Sequence, residues 1–557
     1  MMRRCFFVRA ALVGATFALV PAAAVETVKD SARAPGFCMS GASALPAGAA
    51  RELPIGNYRG PRASSNEKAQ RFFDQGLVFG WGFNFPESVR SFRAAARLDL
   101  DCALCRWGIA WSLGPSINHD MQAADVPIAL DALVQARVIA KPGSRDRLLI
   151  DALSERYADR PGVRTEQLAQ NYARSMRALT ERHADDADIA VLAAEAMMNQ
   201  HAYDYWRKNG TPQSWTPEIV EMLEMALRLA PMHPGAHHYR IHLYEDSRQP
   251  ELALASAEQL GALTPIVGHL VHMPSHVFFR LGRYRDATVA NDAAVRADRE
   301  YAALAGNESD YALHHLHFLW ASALWSGERD TALRVADQLA TAAASPSTNR
   351  IDGRDGTRQH LLSAPDLTLV RFGLWQELAA RVDAGAASGP YQRGLTQFAA
   401  GIAHAKRGDV ALARNKLAAL RRSARDTSAA ALTVKNINRA ADVLSIARAL
   451  LQSAIASARG AHSDAVRNAR AAVIAEDRLE SDDPPAWPLP ARHVLAAALL
   501  HAGRAHEAAR TYRADLDRYP DNCIARIGLA AAERKRSSTV SLQPPARSAA
   551  PPPQCFE

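Results

Sequence analysis

A chain of 557 residues with 48% hydrophobic and 22% charged residues has the composition of a globular protein, which excludes wholesale disorder and a polytopic membrane protein. At about 100–200 residues per domain its length predicts three or four domains, unless the sequence repeats itself. The formal charge of +8 comes from 66 basic and 58 acidic residues mixed along the chain, so no nucleic-acid partner is expected. More telling are the 19 histidines, ten of which lie between His233 and His317.

Taken in chain order, the N-terminus reads Met-Met-Arg-Arg-Cys, then an apolar stretch from Ala10 to Val20, then Pro21-Ala-Ala-Ala24. A basic start, a short apolar run and small residues predict a secretory signal over 1–24, cut after Ala24, and a protein exported to the periplasm or secreted. The run is too short for a bilayer, and no lipobox-like cysteine follows it, so no stable membrane insertion is expected. Removing it takes away Arg3, Arg4 and Arg9 and no acid, lowering the formal charge from +8 to +5. Five cysteines then remain, Cys38, Cys102, Cys105, Cys523 and Cys555; an oxidising compartment permits disulfides, but an odd number leaves a thiol over. Residues 25–64 read as an extended N-terminal segment. The far end, 537–557, holds Pro544, Pro545 and Pro551 to Pro553 among Ser and Ala and reads as a disordered tail.

Between these ends, residues 65–535 read almost throughout as amphipathic helix, punctuated by Gly and Pro into helices of about 12–18 residues. Several stretches are versions of one another: Pro217-Glu-Ile-Val220, Pro250-Glu-Leu-Ala253, Gly282-Arg-Tyr-Arg-Asp-Ala287, Gly327-Glu-Arg-Asp-Thr-Ala332 and Gly408-Asp-Val-Ala411. Val220, Ala253 and Ala287 are 33 and 34 residues apart, the tetratricopeptide (TPR) period. The chain resembles that family here, in Gly76, Phe92 and Ala95 of a first repeat, and in Trp107-Gly108 and Trp111 of a second. The stretch 140–215 and the region after 340 match less well. The resemblance implies an all-α, TPR-like α-solenoid, a right-handed superhelix of antiparallel helix pairs. It divides into a solenoid with His-rich central repeats over 65–345 and further helical repeats over 346–536.

The family's ligand groove is lined by the second, fifth and ninth residues of each first helix, which share one helical stripe. Ala253 sets one repeat start at Pro234, giving Gly235, His238 and His242 as groove residues. Ala287 sets the next at Gly268, giving His269, His272 and His276. Ala332 sets the third at Leu313, giving His314, His317 and Ala321. Seven histidines thus fall on groove positions of successive helices, and first helices packed at roughly 8–10 Å bring neighbouring imidazoles within reach of a common centre. His242, His272 and His276 are the expected heart of that centre.

Two readings of the stripe stay open. Imidazole pairs at i, i+3 or i+4, such as His238 with His242, His272 with His276 and His314 with His317, are a standard way to offer two nitrogens to one metal ion. All-nitrogen ligation suits Cu, Zn or Fe. Alternatively the stripe lines a groove that holds a small molecule, an extended peptide or a partner helix, with no catalysis. Glu245 and Asp246 lie one turn beyond His242 and either complete a metal set, orient an imidazole or simply end a helix. The off-stripe His237 and His315 read as packing or orienting residues. Pro274, inside His272-Met-Pro-Ser-His276, either kinks that helix or opens it.

Within the TPR family the histidine pattern is similar to an exported bacterial group whose first repeat reads Gly-Phe-Asn-His. This chain has Gly82-Phe83-Asn84-Phe85, so a ligand at that last position would be lacking here. Cys102 and Cys105 lack the histidine of a haem-attachment motif and read as a local disulfide or two packed thiols. No Walker loop, dinucleotide fingerprint, nucleophile elbow or His-Glu-x-x-His motif occurs. Any enzymatic chemistry would therefore come from a bound metal ion, and whether the protein is an enzyme is left open.

Overall fold

The computed structural model describes residues 48–159, 162–345, 355–384 and 389–540. The leader 1–24, the start of the 25–64 segment, the junction at 345/346 and the tail from 541 lie outside the described residues. What is described is an all-α, TPR-like α-solenoid of consecutive helix hairpins. Among the described residues the one sheet is a two-residue pair, Thr433–Val434 against Asn438–Arg439. No described helix is long and apolar enough to cross a membrane.

Local chemistry sets the helix ends. Asn66 accepts from the backbone N–H groups of Lys68 and Ala69 and opens the Glu67–Trp81 helix. Asn84 caps Phe85–Leu98, with Pro86 in its first turn, where a missing N–H costs nothing. His233 caps Pro234–Tyr244 through Nδ1. Gly306 and Gly327 close the Tyr284–Ala305 and Ala312–Ser326 helices in the left-handed conformation. The third His-rich helix thus begins at Ala312, one residue before the start set by Ala332.

The repeat's small residues do what the periodicity requires. Ala253, Ala287 and Ala332 are fully buried. The Phe92 ring wedges between Gly76 and Gly108, where an added Cβ would lie 2.8 Å from it at Gly76. Cys102 and Cys105 form a disulfide across the start of the Ala103–Ser112 helix, the first of the alternatives left open above. Cys523 is also disulfide-bonded.

Two segments fold back onto the His-rich helices. The hairpin turn Gly82-Phe83-Asn84 packs against them, so closely that an added Cβ at Gly235 would lie 2.7 Å from the Trp81 ring. From the other end, the loop after the His462–Glu476 helix returns so that Ser481 Oγ donates to Asp246 and Asp483 faces His276. One apolar cluster runs from Leu53 to Ala491. The histidines expected on an open concave face therefore lie inside the molecule, because hairpin and loop cover it.

Candidate metal centre

Six of the histidines gather in two groups of three: His238, His242 and His269, and His272, His276 and His314. None is more than 4% exposed. The nitrogens thus meet at two places, and His242 stands in a different group from His272 and His276. The first group draws on Pro234–Tyr244 and Gly268–His272, and the second on His272 at the end of that helix, on Pro274–Arg280 and on Ala312–Ser326.

Pro274 explains how one helix serves both. It splits the helix into Gly268–His272 and Pro274–Arg280, yet Met273 keeps helical dihedrals of φ −51° and ψ −36°. The proline removes one backbone donor and the axis carries on. His269 therefore points to the first group while His272 and His276, a turn later, point to the second.

In the second group the His272 Nε2 lies 3.0 Å from His276 Nε2 and 3.0 Å from His314 Nε2. The other nitrogen of His272 is fixed. Asn291 donates its amide N–H to the Ala287 carbonyl, so its Oδ1 faces His272 Nδ1 at 2.6 Å and can only accept. His272 Nδ1 therefore carries the hydrogen and Nε2 the lone pair. His276 Nδ1 faces Glu245 Oε2 at 3.0 Å and Asp483 Oδ2 at 3.6 Å.

The first group repeats the pattern. His238 Nδ1 donates to the Trp81 carbonyl at 2.6 Å, leaving its Nε2 lone pair 3.2 Å from His269 Nε2. His242 Nδ1 donates to Glu245 Oε1 at 2.8 Å, and its Nε2 is buried without a hydrogen-bond partner. Phe83 roofs this group with its ring centroid 4.6 Å from His238, 5.7 Å from His242 and 5.4 Å from His269. It reaches there from a left-handed backbone, φ 56°, a conformation that costs a non-glycine residue roughly 1–2 kcal/mol. Phe85 stacks on Phe83 at 5.7 Å and offers no donor.

Electrostatics follows from this burial. Burial pushes His238, His269, His272 and His314 well below the ordinary imidazole range, and neighbouring imidazoles push them further. For His276 burial works the same way but is outweighed by Glu245 and Asp483, which raise it to about 10. Glu245, whose charge burial opposes, is held well below the usual carboxylate range by His242 and His276.

The remaining candidates lie elsewhere. His317 stacks on Trp320 and faces the His360 ring at 5.8 Å, apart from both groups. Asp246 meets Ser481 in the returning loop. His237 bonds Ser256 Oγ and the Pro231 carbonyl. His315 donates from Nδ1 to Asp298 at 2.6 Å and lies 4.8 Å from His272 and 6.0 Å from His269, ring to ring; its Nε2 is buried without a hydrogen-bond partner.

Sequence reasoning missed Asn291, Asp298, Asp483 and Phe83. Asn291 and Asp298 lie on the buried stripe of Tyr284–Ala305 with Ala287 and Ala294, and polar residues interrupting such a stripe were a readable signal. Asp483, some 200 residues further along the chain, carried none.

No known family profile matches the chain, and no curated protein matches it. Several solved structures are similar over most of its length. Yeast Tom70 is 12% identical, covering 86% of this chain and 90% of that one, with a TM-score of 0.28. The Cut9 and Hcn1 hetero-tetramer of the APC/C matches at 11% identity over 85% of this chain and 78% of that one, TM-score 0.30. The TPR domain of P58(IPK) matches at 11% identity over 85% and 99%, TM-score 0.22. At these scores the helical-repeat description rests on this chain's own helices.

Proposed function

We propose that this protein holds transition-metal ions, one in each histidine group, with Cu, Zn or Fe as the class of ion. The observation that carries the reading is the crowding at His272 Nε2. A single lone pair there faces two other ring nitrogens at 3.0 Å each, and one lone pair accepts one good hydrogen bond. A cation between the three rings satisfies all of them. Tetrahedral ligation at 2.0–2.1 Å puts nitrogens about 3.3 Å apart, close to the 3.0–3.2 Å found. Metal-bound imidazoles also hand their other N–H to a carboxylate or carbonyl; His238, His242, His272 and His276 each face such an oxygen. Burial of every member favours retention of ions.

Elemental analysis of the purified, untagged protein after supplementation tests the reading. We expect near-stoichiometric metal in each group and loss on His272→Ala with His276→Ala. Metal-free protein after supplementation sinks it.

A second reading has one observation in its favour. A cleft of about 580 Å³ opens outside the histidine core, lined by residues including Arg248, Glu251, Arg280, Glu480 and Trp487. It is where a small molecule or peptide partner would sit on a helical-repeat scaffold, without catalysis. Binding of such a partner, measured by fluorescence titration of a peptide selected from a library, should be lost on Arg280→Glu and kept on His272→Ala. The reverse result assigns the partner to the histidines.

Export is part of the same reading. The Cys102–Cys105 disulfide fits an oxidising compartment, and N-terminal sequencing of the mature protein should begin at Val25.

A further inference from the structure

We infer that the two histidine groups load in order, His272, His276 and His314 first and His238, His242 and His269 second, with Glu245 shared between them. The inference rests on the metal-holding reading above and adds its order and its regulation.

The argument begins with where negative charge stands. Glu245 is almost fully buried and its two oxygens serve different groups. Oε1 accepts from His242 Nδ1 at 2.8 Å, and Oε2 lies 3.0 Å from His276 Nδ1. A cation on Nε2 makes the opposite N–H a stronger donor, so a carboxylate there both orients the ring and strengthens the ligand. One carboxylate does this for both groups.

The other charges are not shared equally. Asp483 Oδ2 lies 3.6 Å from His276 Nδ1, a ligand of the second group only. Lys435 opposes cation binding on the His314 side, but Asp482 neutralises it at 2.6 Å. In the first group the oxygen behind His238 is the neutral Trp81 carbonyl. The group with more uncompensated carboxylate takes the first cation.

The second cation meets the first. His269 and His272 are 5.9 Å apart and His242 and His276 6.5 Å, ring to ring, so cations held by these adjoining rings repel in a dry interior. It also finds Glu245 already drawn to His276. Its site is therefore the weaker of the two.

Titration of the metal-free full-length protein with Zn²⁺, by calorimetry and by equilibrium dialysis with elemental analysis, tests this. Two steps of one equivalent each are expected, at least tenfold apart in affinity. His238→Ala should remove the weak step alone and His314→Ala the tight one. Asp483→Asn should weaken the tight step several-fold and leave the weak one in place, whereas Glu245→Gln should weaken both by about 10–100-fold. Circular dichroism checks each variant's fold; if His314→Ala does not fold, His276→Gln serves instead, and the wild-type step count needs no variant. Two equal steps, a tighter second step, or loss of the tight step on His238→Ala overturns the order while leaving metal binding standing. Failure of the wild type to take up zinc overturns the metal-holding reading itself, and the order with it.

Discussion

His314 and His317 stand one turn apart on the same helix, both buried, yet they belong to two differently built regions. His314 enters the core between the 234–326 helices, where ring nitrogens meet at 3.0 Å and carboxylate oxygens stand behind His242 and His276. His317 faces the later repeats. There His360 bonds the Tyr391 hydroxyl at 3.0 Å, and Lys435 is fully buried with its ammonium on Asp482 and on the carbonyls of Asp483 and Pro484. Burial pushes His317 down and Lys435 adds to it; the same two causes bring His360 to about 3. In one region buried polar groups converge on a point and leave it electron-rich. In the other they cancel in pairs. Buried histidine alone does not mark a metal site; what stands behind each ring decides.

The largest expected effect sets the two residues against each other. His314→Ala should weaken metal binding at its group at least hundredfold, removing one equivalent after dialysis, because two remaining nitrogens make a poor site. His317→Ala should leave metal content unchanged and lower stability only. Equal loss of metal from both variants would erase the distinction between the regions. Next in size is Lys435→Met, which leaves the Asp482 carboxylate buried and uncompensated. Breaking such a pair costs about 3–5 kcal/mol, to be read by urea denaturation of the full chain. A change under about 1 kcal/mol would show that water reaches Asp482 and that this region is not sealed.

Much of the solenoid was legible in the residues themselves. Pro234 and Gly268 begin their helices where Ala253 and Ala287 placed the repeat starts, because repeat periodicity is a local property of helix pairs packing through small residues. The grouping of the histidines was legible only in part. The repeat frame puts rings on faces that meet, but it treats each first helix alike, so it cannot separate His314 from His317. That separation depends on the ring each one meets, His272 for His314 and His360, from a later repeat, for His317. The filling of the groove was equally hidden. It needs Phe83 in a left-handed conformation that a Gly82-Phe83-Asn84 text does not announce, and a loop that returns across more than 200 residues.

A smaller effect probes the packing that lets the first group form. Gly268 lies against Asp298, and a Cβ there would overlap its carboxylate, the group that orients His315. Gly268→Ala should cost about 1–3 kcal/mol and lower the affinity of the weaker metal step. A neutral substitution would mean that Asp298 moves freely, and that the metal-side region is less rigid than its distances imply.

The smallest effect belongs to the charge-cancelling region and appears as a pH dependence. Burial raises Glu476 from 4.5 to about 7, although it accepts the Ala491 N–H at 2.9 Å and Arg518 and Arg492 are near. Its folded value lies above its unfolded one, so the folded chain binds the proton more tightly. The contribution of Glu476 to stability is therefore greatest below about pH 4.5 and falls as pH rises towards 7, levelling once both states are ionised. Glu476→Gln keeps an oxygen for Ala491 and cannot ionise, so it should escape this loss. Its stability relative to the wild type should grow by on the order of 1–3 kcal/mol between pH 4.5 and 7.5. Urea denaturation across that range reads the difference. Parallel profiles would mean that Arg518 and Arg492 already compensate the charge, making this carboxylate another cancelled pair and sharpening the contrast with Glu245 and Asp483, whose partner at His276 is a ring nitrogen.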